Sequence, residues 1–206
     1  LVIARQRIAE EAQARTGFLD LGRLGLRGLP EELFALKHLR QLNLGAGTFG
    51  DGGWIEASAN IGSNDPGASL ARLAELPELC ALSCSSTGVS DLAPLAGLTA
   101  LQTLECSGSQ VSDLAPLAGL TALQTLDCSF SQVSDLAPLA GLTALQTLDC
   151  SYCSLDDFPR GLLDRPSLKE LFLYDSRLHG VPLGVLSQSF RESCLDMLRA
   201  HVRDLD

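Results

Sequence analysis

The chain is short of the residues that several binding chemistries depend on. Lys and Arg together number 15 against 25 Asp and Glu, for a formal net charge of −10 and a pI near 4.7. Affinity for DNA or RNA is carried mainly by Lys and Arg, so nucleic acid is excluded as a partner. Anionic membrane surfaces are disfavoured for the same reason. No apolar run approaches the roughly 18–20 residues of a membrane span. The three histidines, His38, His179 and His201, are scattered, and no Ser/His/Asp or His/carboxylate cluster is suggested. G-x-x-x-x-G-K-[ST] is absent, which removes a P-loop nucleotide site from these residues. The N-terminal stretch has no signal-peptide h-region or cleavage pattern. No catalytic residue, metal site or cofactor is read here.

What is present is repetition. One block stands three times in tandem, almost letter for letter, as Val89–Gln110, Val111–Gln132 and Val133–Ser154. A fixed period of this length with leucines at L-x-x-L-x-L spacing is the signature of a leucine-rich-repeat solenoid. The phase runs outward through Gly67–Gly88 and a longer version at Leu155–Arg177. Leu26–Leu44 matches that version at a constant offset, Leu26 with Leu155 and Leu39 with Leu168. Six phrases carry a full strand, with a lead-in strand around Phe18–Leu21 and a trailing half-repeat at Leu178–Leu186. No unit can close a core alone, so neighbours must stack.

Each position can be read. Leu101, Leu104, Cys106 and Val111 point inward, while Thr103 and Glu105 alternate outward on a short strand. Asp91-Leu-Ala-Pro94-Leu-Ala-Gly97 is too broken for a long helix and predicts a turn with one or two helical turns. The expected fold is therefore α/β: one domain over 1–206, with parallel strands on a concave wall and short helical turns on a convex one. A capping helix over 1–17, repeats over 18–186 and a C-terminal helix over 187–206 complete it.

Seven cysteines are too irregular for a disulfide framework and imply a reducing cytoplasm. Cys84, Cys106, Cys128 and Cys150 recur once per period as a buried ladder of small apolar side chains. Cys150-Ser-Tyr-Cys153 is a lone C-x-x-C without redox context. Gly45-Ala-Gly47-Thr-Phe-Gly50 matches G-x-G-x-x-G, but no helix is predicted to follow. Cys194-Leu-Asp196 reads as a pair on a helix surface.

Two features suggest binding. From Leu42 to Leu82 the strand phase takes nearly two periods where one would do, so an insertion over 45–69 leaves the solenoid after a strand. It carries the single Trp, Trp54, either as a plug folded back on the solenoid or as a binding-loop residue. The outward positions also form columns. One reads Ser83, Glu105, Asp127, Asp149, Phe172, a second Ser85, Ser107, Ser129, Ser151, Tyr174, and a third Ser86, Gly108, Phe130, Tyr152, Asp175. Stacked carboxylates repel. Flanked by Phe130, Tyr152, Phe172 and Tyr174, they would suit a basic protein segment. Recent duplication, rather than a ligand, could equally have set the column.

The flanks IARQRIAEEAQAR (Ile3–Arg15) and RESCLDMLRAHVRDL (Arg191–Leu205), each an amphipathic helix, join the VSDLAPLAGLTALQTL repeats. Together they resemble the leucine-rich-repeat region of bacterial Roco proteins, in which the repeats precede a Ras-like GTPase (Roc) and a dimerising COR domain. That resemblance implies a non-catalytic regulatory module of a cytoplasmic, homodimeric GTPase, monomeric as a fragment. Its partners would be a protein, or the Roc and COR domains of the same chain. The alternative is a stand-alone scaffold that binds a host protein, either a secreted effector or a surface adhesin of the internalin kind. Internalin-type repeats share the same period, but favour Asn where Thr87, Ser109 and Ser131 stand here.

Overall fold

Leucines one period apart share one core only if the chain makes one coil per repeat, and the strands stack in that way. A computed structural model describes residues 1–50, 53–55, 62–189 and 192–204, with backbone only at 48–50 and 53–55. In chain order it contains helix α1 (Val2–Ala14) and strands β1 (Phe18–Asp20), β2 (Gln41–Asn43), β3 (Thr48–Gly50), β4 (Gly53–Ile55) and β5 (Ala81–Ser83). Strands β6 (Thr103–Glu105), β7 (Thr125–Asp127), β8 (Thr147–Asp149) and β9 (Ser154–Leu155) follow. Then come α2 (Arg160–Leu163), β10 (Glu170–Phe172), β11 (Arg177–Leu178) and α3 (Leu195–Arg203). The main sheet has seven strands in the order β1-β2-β5-β6-β7-β8-β10. All are parallel and in register at the leucine: Leu82, Leu104, Leu126 and Leu148 are successive partners. The six full strands and the lead-in strand are the ones the repeat phase predicts.

Opposite the sheet, each of the three duplicated repeats makes one tight 3₁₀ turn, at Ala93–Leu95, Ala115–Leu117 and Ala137–Gly141. The turn is nucleated by an aspartate. Asp91, Asp113 and Asp135 each accept the backbone N–H two residues on, at 2.7–2.8 Å. The following proline presets φ without needing a donor, and a coil this short leaves no room for a longer helix. One continuous apolar core runs from Ala4 to Leu198. Cys84, Cys106, Cys128 and Cys150 are fully buried in it, as the ladder reading requires.

Both ends of the solenoid are closed. α1 covers the first coil with Ala4 and Ile8, and its Glu11 is also buried. The Glu11 carboxylate accepts bonds from Gly17 N–H (2.8 Å), from Thr16, and from His38 Nε2 (2.9 Å). Burial would push this carboxyl up, but those bonds outweigh it and hold the group below its ordinary value. This His38–Glu11 pairing corrects the expectation that the histidines have no carboxylate partner. The two lie 27 residues apart, and only the docking of the helix brings them together.

At the far end, N–H groups of β10 and the residue after it donate to Ser193 Oγ and Ser187 Oγ, both at 3.0 Å, so the last edge is not open to another strand. α3 lays Leu195 and Leu198 on the core, with Val202 partly buried; Leu205 falls outside the described residues. The Arg199 guanidinium ties this end together by donating to the carbonyls of Leu163 (2.7 Å), Arg165 (2.9 Å) and Leu168 (3.3 Å). Cys194 and Asp196 do not form a surface pair. Cys194 is buried at the head of α3, its N–H on Leu171 O at 2.9 Å, and only Asp196 is exposed.

The insertion leaves after β2, as its position in the phase demands, and opens as an antiparallel hairpin of β3 and β4, in which Phe49 faces Trp54 in register. Gly45–Gly50 therefore leads into a strand and not into a nucleotide-binding helix. The return limb rejoins the stack at Asn64, which is buried. Asn64 Nδ2 donates to Leu21 O (2.8 Å) and Leu44 O (2.7 Å), and its Oδ1 accepts Leu26 N–H (2.8 Å). Thr87, Ser109 and Ser131 do the equivalent work on Cys84, Cys106 and Cys128. An asparagine thus stands at the head of a ladder that continues with three hydroxyls.

Candidate functional site

Strand alternation sends Leu104, Leu126 and Leu148 inward and Glu105, Asp127 and Asp149 to the concave side. The register makes Ser83, Glu105, Asp127, Asp149 and Phe172 successive partners, one rung of about 4.8 Å apart. Among the described residues no outward position of the main sheet is basic. Higher up the same column Asp20 is neutralised by Arg7 at 2.9 Å and bonded by Asn43 Nδ2 at 2.8 Å. Among the described residues no such cation lies beside Glu105, Asp127 or Asp149.

The three acids are not equivalent. Asp127 Oδ1 accepts the N–H of Ser129 at 2.9 Å and its hydroxyl, and Asp149 Oδ1 accepts Ser151 N–H at 2.8 Å. Glu105, only 9% exposed, has no donor near its carboxyl other than the hydroxyl of the fully buried Ser83 on the rung above. Burial, and then the charge of Asp127, push the Glu105 carboxyl up to about 7, and the nearby Ser83 hydroxyl offsets this only in part. Burial also lifts Asp149 to about 6 against the bonds from Ser151. The same pressure reaches the core: burial and then Glu105 raise the Cys84 thiol to about 12.

Beside the acids runs an aromatic ledge. After β5, β6, β7, β8 and β10 the chain turns through one left-handed residue, at Ser86, Gly108, Phe130, Tyr152 and Asp175 respectively, with φ between 49° and 62°. Phe130 and Tyr152 stack with ring centroids 4.0 Å apart and planes 17° from parallel. Tyr152 meets Tyr174 edge-on at 5.5 Å. Phe130 is 51% exposed, and Phe172 closes the acidic column below Asp149.

The serine column was expected to face outward but is buried. Ser85, Ser107, Ser129 and Ser151 are at most 7% exposed, and Ser107 Oγ bonds Ser85 Oγ at 3.1 Å. The strands end before these serines, so the left-handed turn folds the hydroxyls against the next rung. The side chain of Trp54 lies outside the described residues. Among the described residues no three His, Cys, Asp or Glu are placed to hold a metal ion, and no helix is long and apolar enough to cross a membrane.

The family model for leucine-rich repeats (two copies) matches residues 121–160. Among solved structures, an internalin C2 from Listeria monocytogenes is 32% identical, with a TM-score of 0.59 over 84% of this chain and 78% of that one. The chain belongs to the leucine-rich-repeat family. The internalin inlF from the same organism gives a TM-score of 0.60 at 24% identity, over 84% of this chain and 52% of its own, a likeness of fold alone. The comparison with curated proteins found no match. As a leucine-rich-repeat domain the chain is a protein-interaction module, and its repeats present a long concave wall to a partner.

Proposed function

We propose that this domain is a non-catalytic protein-recognition module whose concave face takes a basic, extended segment of its partner. The observation that carries the proposal is where the duplicated repeats differ. Residues 89–104 recur unchanged at 111–126 and 133–148. Every difference falls at the end of the strand or in the loop after it: Glu105, Asp127, Asp149; Gly108, Phe130, Tyr152; Ser109, Ser131, Cys153; Gln110, Gln132, Ser154. Drift after duplication would scatter substitutions around the coil. Two of the changes also run against stability. Phe130 and Tyr152 adopt a left-handed conformation that L-residues with bulky side chains avoid, where Gly108 serves without strain. Aromatic rings beside carboxylates suit Arg or Lys side chains, which stack on the rings and pair with the acids.

The setting we favour is a regulatory module of a cytoplasmic Roco-type GTPase, supported by the resemblance of both flanks and by seven free thiols, two of them, Cys128 and Cys150, sharing a hydrogen bond at 3.5 Å and not a disulfide. A second reading, a secreted or surface-borne scaffold, is favoured by the similarity to internalin C2. The binding face is tested by a peptide array of basic, neutral and acidic decamers. Selective, salt-sensitive capture of basic peptides, lost in a variant with Asp127→Asn and Asp149→Asn, is expected; equal capture of acidic peptides would overturn it. The setting is tested in the parent by deleting residues 1–190. Altered nucleotide turnover or oligomeric state is the Roco outcome, and a parent without a GTPase domain refutes it.

A further inference from the structure

We propose that the cleft beside α1 binds a medium-chain aliphatic carboxylate, with the head group on Arg15. The N-terminal end of the solenoid differs in charge from the rest. Residues 1–50 hold seven of the fifteen Lys and Arg but only five of the twenty-five Asp and Glu. Between α1 and the 3₁₀ turn at Glu31–Ala35 lies an open cleft of about 480 Å³. Small-molecule sites ordinarily measure about 300–1,000 Å³. The cleft exists because α1 buries only Ala4, Ile8 and Glu11, and the positions beside that stripe are alanines. Ala9, Ala12 and Ala35 line the gap with methyl groups too short to fill it, and all three residues are exposed. Buried Ile8 and Leu36 complete an apolar floor.

The charges on the lining do not balance. Arg5 Nε pairs with Glu32 at 2.9 Å, which leaves that pair neutral. The Arg15 side chain also lines the cleft, and among the described residues its guanidinium has no hydrogen bond or ion pair. Glu11 accepts the Arg15 N–H on its backbone carbonyl at 2.8 Å, but its carboxylate is already bound by Thr16, Gly17 and His38. One positive charge is therefore in excess. Arg15 also holds the left-handed cap position of α1, with φ 50°, where glycine is the usual residue. Arg5 and Arg15 are ten positions apart, about 15 Å along the helix axis. A neutral pair, an apolar floor and an unpaired guanidinium in sequence match an extended acyl chain. Its carboxylate accepts the guanidinium fork, and its methylenes cover the alanines. A cationic amphiphile would be repelled by Arg15, and an uncharged one would leave it unpaired.

The test is an NMR titration of the whole chain at pH 7 with decanoate below its micelle concentration, beside decanol as the uncharged counterpart. Decanoate should move the methyl signals of Ile8, Ala9, Ala12 and Ala35 as one saturable site. Those of the exposed Leu183 and Met197 at the far end should stay still. Arg15→Gln breaks no side-chain bond of the fold and should weaken decanoate about tenfold, leaving decanol unchanged. Ala12→Leu fills the cleft and should abolish binding of both. Arg203→Gln, an exposed cation at the other end, should alter neither. Should Ala12→Leu displace α1, the Arg15→Gln comparison decides alone. Equal affinity for decanoate and decanol, or decanoate binding indifferent to Arg15→Gln, overturns the site. Shifts spread over both ends of the solenoid, the mark of adsorbed amphiphile, overturn it too. So do cleft signals that answer to an acidic, leucine-containing peptide and not to decanoate.

Discussion

Replacing Glu105 by Gln should stabilise the domain at alkaline pH and leave it unchanged in acid. Its carboxyl is raised from an ordinary value of 4.5 to about 7 by burial and then by Asp127. The folded state therefore binds the proton more tightly than the unfolded chain does. Below about pH 4.5 both states carry the proton and the group costs nothing. Between 4.5 and 7 the unfolded chain gives it up first, so stability falls as pH rises. Above 7 the full penalty stands. A rise of this size corresponds to about 3 kcal/mol. Gln keeps the shape and cannot ionise, so the two proteins should melt alike near pH 4.5 and diverge to about 3 kcal/mol by pH 8. For a domain of this length that is about 6–12 °C in Tm. Urea and thermal melts of both proteins at half-unit intervals from pH 4.5 to 8.5 measure the gap. A gap that is constant with pH, or one that closes as pH rises, would refute the assignment of Glu105 as a buried acid without a counter-charge.

Phe130→Gly should change stability by no more than about 1 kcal/mol, because relief of the left-handed strain offsets the loss of the Tyr152 stack. The same variant should weaken binding of basic peptides; unimpaired binding would remove the ledge from the recognition surface. Cys128→Ser should destabilise by about 1–3 kcal/mol, since it puts a hydroxyl into a fully buried apolar site; an unchanged melting curve would contradict that burial. Arg199→Ala frees three carbonyls at the closed end and should cost about 2 kcal/mol. Hydrogen exchange should then quicken in α3 and α2 and stay constant in β1 and β2, whereas a uniform change along the solenoid would deny Arg199 its local role.

The alternation of Glu105 against Leu104, the inward cysteines once per repeat and the exit of the insertion after β2 all follow from period alone. Once the chain coils at a fixed length, each residue's azimuth is settled by its position in the repeat. Period also placed Glu105, Asp127 and Asp149 in one column, and Phe130 and Tyr152 in another. It could not say how deep each side chain sits. Ser85, Ser107, Ser129 and Ser151 share the outward phase yet are buried, because the left-handed residue after them folds the loop back on its neighbour. The serines that close β10, the Arg199 clasp, the His38–Glu11 pair and the Asn64 ladder join residues 14 to 43 positions apart and carry no periodic signal. The inequality among three like acids belongs to the same class. A carboxyl's proton affinity depends on its desolvation and on the partners around it: burial raises Glu105 against the Ser83 hydroxyl alone, whereas Asp149 is opposed by its bonds from Ser151.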